Sequence, residues 1–277
     1  MHQHSFLHYL NNTLCQRICR YLLVASGLLV GFSSYAESGG RIDSVTGSRF
    51  GDSWQEEVLL HDGHIIVVDR SQSYGGGHEI GQRPPVRNMT ISFTLPSSGR
   101  RISWFSEYGE DVGRASFTLA ALHFLNDTPY VVALPNLCQS YNKWGRPNPP
   151  YVLFTYRADA WTRIPLAELP TEFKSINLVV DTVNNSAELA RLGKVSAEEV
   201  KQLNGKLTQP EYREISRERI AGSGDGCPVM VSRGKKGGSV AMDWFTNQPN
   251  LEACLKFCEY KEVSPETCPC NQLFKAD

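Results

Sequence analysis

A chain of 277 residues with a formal net charge of −1 and a pI near 6.7 has no electrostatic footprint for nucleic acid, which calls for a basic patch or stripe. A polyanion is therefore not the expected partner. Hydrophobic content of 41% and charged content of 21% are those of an ordinary globular protein.

In chain order, the first 36 residues read as a secretory signal peptide. Arg17 and Arg20 supply a positive n-region, an apolar run follows from Tyr21 to Phe32, and Ser34 and Ala36 sit at the −3 and −1 positions that a signal peptidase prefers. The apolar run covers about 12 residues, whereas a spanning helix needs roughly 20. No later segment is long enough to cross a bilayer, so no integral membrane segment is expected after cleavage. The expected location is periplasmic or secreted.

Residues 37–183 are rich in β-branched and aromatic residues, punctuated by Gly, Pro, Asn and Asp. Strand-like runs recur at Glu57–Leu60, Ile65–Asp69, Met89–Leu95, Arg101–Phe105, Ser116–Leu125, Tyr130–Leu134, Tyr151–Tyr156, Trp161–Ile164 and Asn177–Asp181. Asp62-Gly63 between two such runs marks the clearest hairpin, since that dipeptide tolerates the positive φ of a tight β-turn. The expectation is a mainly β, antiparallel domain built as a sandwich, a barrel or a propeller-like arrangement.

Residues 184–226 read as a charged helical connector. Ser196 and Glu199 form a capping-box pattern, in which the hydroxyl and the carboxylate reciprocally satisfy backbone donors at a helix start, and Asn204-Gly205 marks its stop. Residues 227–277 read as a short Cys-rich appendage, with Leu251, Cys254, Leu255 and Cys258 at helical spacing. Of the eight cysteines, Cys15 and Cys19 leave with the signal. Cys138, Cys227, Cys254, Cys258, Cys268 and Cys270 remain, and an even set in an exported chain predicts disulfides. A bridge from Cys268 to Cys270 across Pro269 is strained, and Cys254 meets Cys258 poorly on one helix. The economical pairing joins the first tail pair to the second and Cys138 to Cys227. Zinc on the tail thiolates is the rival reading, although C-x3-C-x9-C-x-C departs from the paired spacing of structural zinc sites.

The segments WQEEVLLHDG from Trp54, HEIGQRPP from His78, YNKWGRPNPPYVLFTY from Tyr141 and WTRIPLAELP from Trp161 together resemble a family of exported bacterial proteins without assigned function, over residues 54–178. The resemblance implies an exported β-rich protein and carries no catalytic residue across.

Candidate sites come from the residues themselves. Tyr141, Lys143, Trp144 and Arg146 precede a proline-rich turn; flat aromatic faces and cationic donors in a stiff loop suit a sugar ring or an acidic peptide, or else cap the core. His61 and His64 flank the Asp62-Gly63 turn and, with His78, offer imidazoles for a transition metal or simply bracket an exposed turn. Glu107, Glu110 and Asp111 cluster, and paired carboxylates hydrolyse glycosides only when held across a cleft. Tyr74-Gly75-Gly76-Gly77-His78 lacks the helix start and lysine of a phosphate loop, and no G-x-S-x-G elbow is present. The leading expectation is a non-catalytic binding or structural module with no cofactor, acting on an envelope ligand or protein. An envelope hydrolase acting on glycans, built on Glu107, Asp111 and the Tyr141–Arg146 loop, and a metal-binding envelope protein using His61, His64 and His78 are the alternatives.

Overall fold

The computed structural model describes residues 51–234 and 238–275, and the expected signal peptide at 1–36 lies outside them. The chain is mainly β. Strands β1 (Asp52–Leu59), β2 (Ile65–Tyr74), β3 (Val86–Thr94) and β4 (Arg101–Ser106) form a meander in which each strand pairs antiparallel with the next. The β1–β2 turn falls at Asp62-Gly63, where Gly63 takes φ +89° and the Leu60 N–H donates to the His64 carbonyl at 2.8 Å. A small hairpin, β5 (Tyr108–Gly109) with β6 (Arg114–Ala115), follows. Strands β7 (Phe117–Leu125) and β8 (Thr128–Pro135), helix α1 (Leu137–Lys143), then β9 (Val152–Arg157) and β10 (Ala160–Ile164) complete the β body. The second sheet runs β10-β9-β8-β7, all antiparallel.

Period-2 alternation places Val58, Val68, Met89, Ile91, Phe93, Ile102 and Trp104 of the first sheet against Leu119, Leu122, Val131, Ala133 and Val152 of the second in one buried core. The two sheets are layered on that core and are not joined into a closed barrel. A register shift between Leu119 and Ala121 in β7 leaves Ala120 without a partner. That bulge switches the phase of the alternation, so Phe117 and Leu119 before it and Leu122 and Phe124 after it all reach the same core. Ala120 and Ala121 instead face a second apolar cluster with Leu169, Phe173, Ile176 and Ile215. Both faces of β7 and β8 are thereby covered.

Residues 177–181, expected to be a strand, form no ladder. Side chains take most of the ladder's place: Val179 N–H donates to Glu56 Oε2 at 3.0 Å and Val180 N–H to Asn204 Oδ1 at 3.1 Å, while Leu178 N–H donates to the Ala120 carbonyl at 3.1 Å and Asn177 Oδ1 accepts from the Leu122 N–H at 2.9 Å. Asn177 Nδ2 also donates to the carbonyls of Leu59 and Leu122, tying the two sheets together. Glu56 in turn pairs with Arg70 at 2.9 Å, both side chains fully buried, and accepts from Trp54 Nε1 at 2.6 Å.

The connector packs against the body. Helix α2 (Thr182–Leu192), strand β11 (Lys194–Val195) and helix α3 (Ala197–Gly205) follow, and β11 adds to the edge of β1 in parallel. Leu189, Val195 and Val200 bury themselves with Trp54 and Val179. The Ser196–Glu199 capping box is formed, and α3 ends at Gly205 as its sequence signals. The tail contains β12 (Met230–Ser232) and β13 (Ser239–Ala241), helices α4 (Asp243–Thr246), α5 (Leu251–Tyr260) and α6 (Cys270–Leu273), and a small core around Phe245, Cys254, Cys258 and Cys270. Disulfides join Cys138 to Cys227, Cys254 to Cys270 and Cys258 to Cys268. On α5, Cys254 and Cys258 face inward, while Leu251 and Leu255 are exposed.

Candidate functional site

The aromatic and cationic residues ahead of the prolines are engaged within the fold. Tyr141 lies on α1 and is buried. Its hydroxyl donates to the Ser223 carbonyl at 3.5 Å, and Gly224 packs against the ring so tightly that a Cβ there would stand 2.4 Å from the hydroxyl oxygen. Arg146 lies over the Tyr141 ring at 5.0 Å and donates to the carbonyls of Cys227 at 2.9 Å and Gly224 at 3.1 Å. Trp144 is partly buried and packs on Phe117 and Phe154 of the main core. Lys143 pairs with Asp111 at 2.8 Å. Together these side chains fasten the segment leading into the tail, beside the Cys138–Cys227 bridge. Pro147, Asn148 and Pro149 line a cavity of about 430 Å³ with Ile164 and Leu166.

The three imidazoles lie in different surroundings. His64 is exposed beside Asp62 at 3.1 Å, His78 is exposed with Nδ1 at 3.0 Å from the Gly76 carbonyl, and His61 packs on Phe173 at 5.1 Å. Among the described residues, the group of three or more potential metal ligands drawn together is Cys258, Cys268 and Cys270, whose sulfurs are in disulfides. Glu107 and Asp111 also part company: Asp111 is held by Lys143, whereas Glu107 and Glu110 line a different cavity.

That cavity is a groove of about 880 Å³ on the outer face of the first sheet. Register builds its floor. Ser53 stands opposite Ser71, Ser71 opposite Thr90, and Thr90 opposite Phe105, giving one row across β1, β2, β3 and β4. The β5–β6 hairpin forms a wall carrying Tyr108 and Glu110; the Tyr108 N–H donates to Asn88 Oδ1 at 3.1 Å and so anchors it to β3. Arg87 lies over the Tyr108 ring at 5.3 Å.

The polar side chains of this face divide into two sets. In the neighbouring row Gln55 donates to Asp69 at 2.9 Å, Asp69 accepts from Arg101 at 2.6 Å, and Ser92 bonds Ser103 at 2.7 Å. In the groove, among the described residues, the hydroxyls of Ser53, Ser71 and Thr90 and the carboxylates of Glu107 and Glu110 bond no other side chain. Ser73 Oγ, on the same face of β2 as Ser71, is buried without a partner. Buried polar atoms are ordinarily satisfied, so an unpaired one beside the groove marks unspent hydrogen-bonding capacity.

A fixed network underlies one end. Asp52 lines the groove and accepts a short hydrogen bond from the Tyr74 hydroxyl, which meets Ser186 Oγ at 2.6 Å and accepts from Gln72 Nε2 at 2.6 Å. Burial, followed by the hydrogen bond to Asp52, raises the Tyr74 pKa, which keeps the phenol a donor and the Asp52 position rigid. The first sheet therefore presents a prearranged face.

Sequence reasoning places Glu107 and Glu110 as a cluster but misses Ser53, Ser71, Thr90, Arg87 and Phe105 as partners. These come from four strands, and composition does not specify register. No protein-family model, no curated protein and no solved structure matches this chain.

Proposed function

We propose that the chain is an exported, periplasmic or secreted binding protein of the bacterial envelope, without catalysis, and that the groove on the first sheet is its ligand site. We also propose membership of the family of exported bacterial proteins that residues 54–178 resemble. The observation that carries the binding role is the contrast across one sheet face: paired polar side chains in one row, unpaired ones lining a cavity in the next. Sites of this size, about 300–1,000 Å³, hold small molecules or segments of larger ones. Three disulfides support export, because thiols pair and stay paired in oxidising compartments. Among the described residues no helix is long and apolar enough to cross a membrane.

The test is a thermal-shift screen of the purified full chain against glycans, metals and envelope fractions, run beside Ser71→Trp, which fills the middle of the row. A ligand that binds only the native state raises the melting temperature, by about 2.7 kcal/mol of stabilisation at one hundred times its Kd. Groove ligands are expected to stabilise the parent chain by several degrees and leave Ser71→Trp unmoved. Equal stabilisation of both proteins by every hit would remove the groove from its role.

A second reading, an envelope hydrolase acting on glycans, draws on the two free carboxylates of Glu107 and Glu110 in the same groove. New reducing ends appearing with the parent chain, and lost in a Glu107→Gln, Glu110→Gln double variant, would establish it.

A further inference from the structure

We infer that the ligand class of the groove is a neutral oligosaccharide, bound along the row from Ser53 to Phe105. This rests on the groove being the binding site. The first argument is charge. Arg87 shares one lining with Glu107 and Glu110, so a polyanion meets two carboxylates and a polycation meets a guanidinium. A neutral ligand meets neither repulsion.

The second argument is hydrogen-bond type. Ser53, Ser71 and Thr90 each offer a hydroxyl that both donates and accepts. Neighbouring strands are about 4.8 Å apart, so the three hydroxyls form a line with that repeat. Asn88 contributes an amide, and Glu107 and Glu110 contribute acceptors alone. A ligand matching this set must carry many closely spaced groups that donate and accept, as a polyhydroxylated ring does.

The third argument is the aromatic end. Phe105 closes the row and is 59% exposed, an unusual place for a ring with no polar handle. Tyr108 stands in the adjoining wall with Arg87 against it. The C–H face of a pyranose is apolar while its rim is polar, so a row of hydroxyls ending at a flat ring matches it on both counts. An extended peptide added as a strand would have to displace the Trp161 Nε1 bond to the Ser103 carbonyl at 2.8 Å on the β4 edge.

The experiment is titration calorimetry of the full chain with cellotetraose, chitotetraose and maltotetraose, alongside a sulfated oligosaccharide and an oligolysine. At least one neutral tetrasaccharide is expected to bind saturably and to outcompete both charged probes. Phe105→Ala and Glu107→Gln should each weaken that binding by about tenfold or more. Both side chains reach solvent, so unchanged melting temperatures certify the fold, and Leu255→Ser on the tail should bind like the parent. Undiminished saccharide binding in both groove variants would overturn the inference. If another ligand class binds and is blocked by Ser71→Trp while no neutral saccharide binds, the class is wrong and the groove stands. If no ligand of any class is blocked by Ser71→Trp, both fail.

Discussion

His123 shows what a single side chain imposes on this fold. It sits on β7 with no solvent exposure, stacked on Phe173 at 4.7 Å, and its Nε2 lies 2.9 Å from the Ser175 carbonyl. Its Nδ1 is buried without a partner. Burial drives its pKa down to about 4, and the nearby His61 adds to the effect against the pull of Ser175. In the unfolded chain the same imidazole titrates near 6.5. Between those values the unfolded state binds the extra proton, so stability rises with pH there. The contribution is complete above about pH 6.5 and is lost as pH falls toward 4, about 3 kcal/mol in all. Urea unfolding at pH 7.5, 5.5 and 4.5 should show this decline in the parent chain and a flatter profile in His123→Gln. Parallel profiles would mean that His123 does not set the acid limit. Exposed carboxylates work lower: Lys194 beside Glu57 and the His64 backbone N–H on Asp62 lower their pKa values, so their contribution is lost as pH falls below about 4.5 and meets this window only at its acid end.

At the scale of elements, the fastening between α1 and residues 223–227 carries a distinct expectation. Arg146 spans two carbonyls of that segment with its planar fork, a geometry that Lys cannot reproduce. Arg146→Lys should loosen the segment by about 1.5–3 kcal/mol, the range for hydrogen bonds to charged groups. Limited proteolysis should then cut faster within 219–229 while the β sheets resist as before. Identical cutting rates would show that Tyr141 and the Cys138–Cys227 bridge hold the segment alone. Elements with local chemistry were legible in the sequence: the hairpin at Asp62-Gly63, the capping box of Ser196, the helix bearing Cys254 and Cys258. Those set by distant partners were not. Residues 177–181 carry a strand pattern, yet Asn177, Glu56 and Asn204 take the place of a ladder. The bulge at Ala120 swaps which side chains face the core, and no local residue announces it. The 184–226 connector reads as polar and solvated because its charged residues dominate the pattern; Leu189, Val195 and Val200 are buried because Trp54 and Val179 meet them, and Ile215 because the second cluster receives it. The groove was legible least of all, since its row is assembled by the register of three strand pairs.

For the whole molecule, cross-links govern how the β body and the tail share stability. The tail has a small core around Phe245 and Val263, lined by its own cysteines, and so little burial cannot balance chain entropy without staples. Its two bridges are nested, with sequence separations of 16 and 10. Cys138–Cys227 closes a separation of 89, for which loop-closure entropy gives about 4.5 kcal/mol against the unfolded state. The sheets, with cores on both faces of β7 and β8, do not depend on the tail bridges in the same way. Replacing Cys254, Cys258, Cys268 and Cys270 by Ser should therefore unfold the tail and leave the melting of the β body within about a degree, a shift worth well under 1 kcal/mol. Replacing Cys138 and Cys227 by Ser should lower the body's own transition, by about 2–4 °C for each kcal/mol lost. The same bridges test export. Protein recovered from the envelope, denatured without reductant and alkylated, should expose no thiol at any of the six positions and should yield the three linked peptides on mapping. Alkylation at all six would leave the tail without its staples and the proposed location without its covalent support.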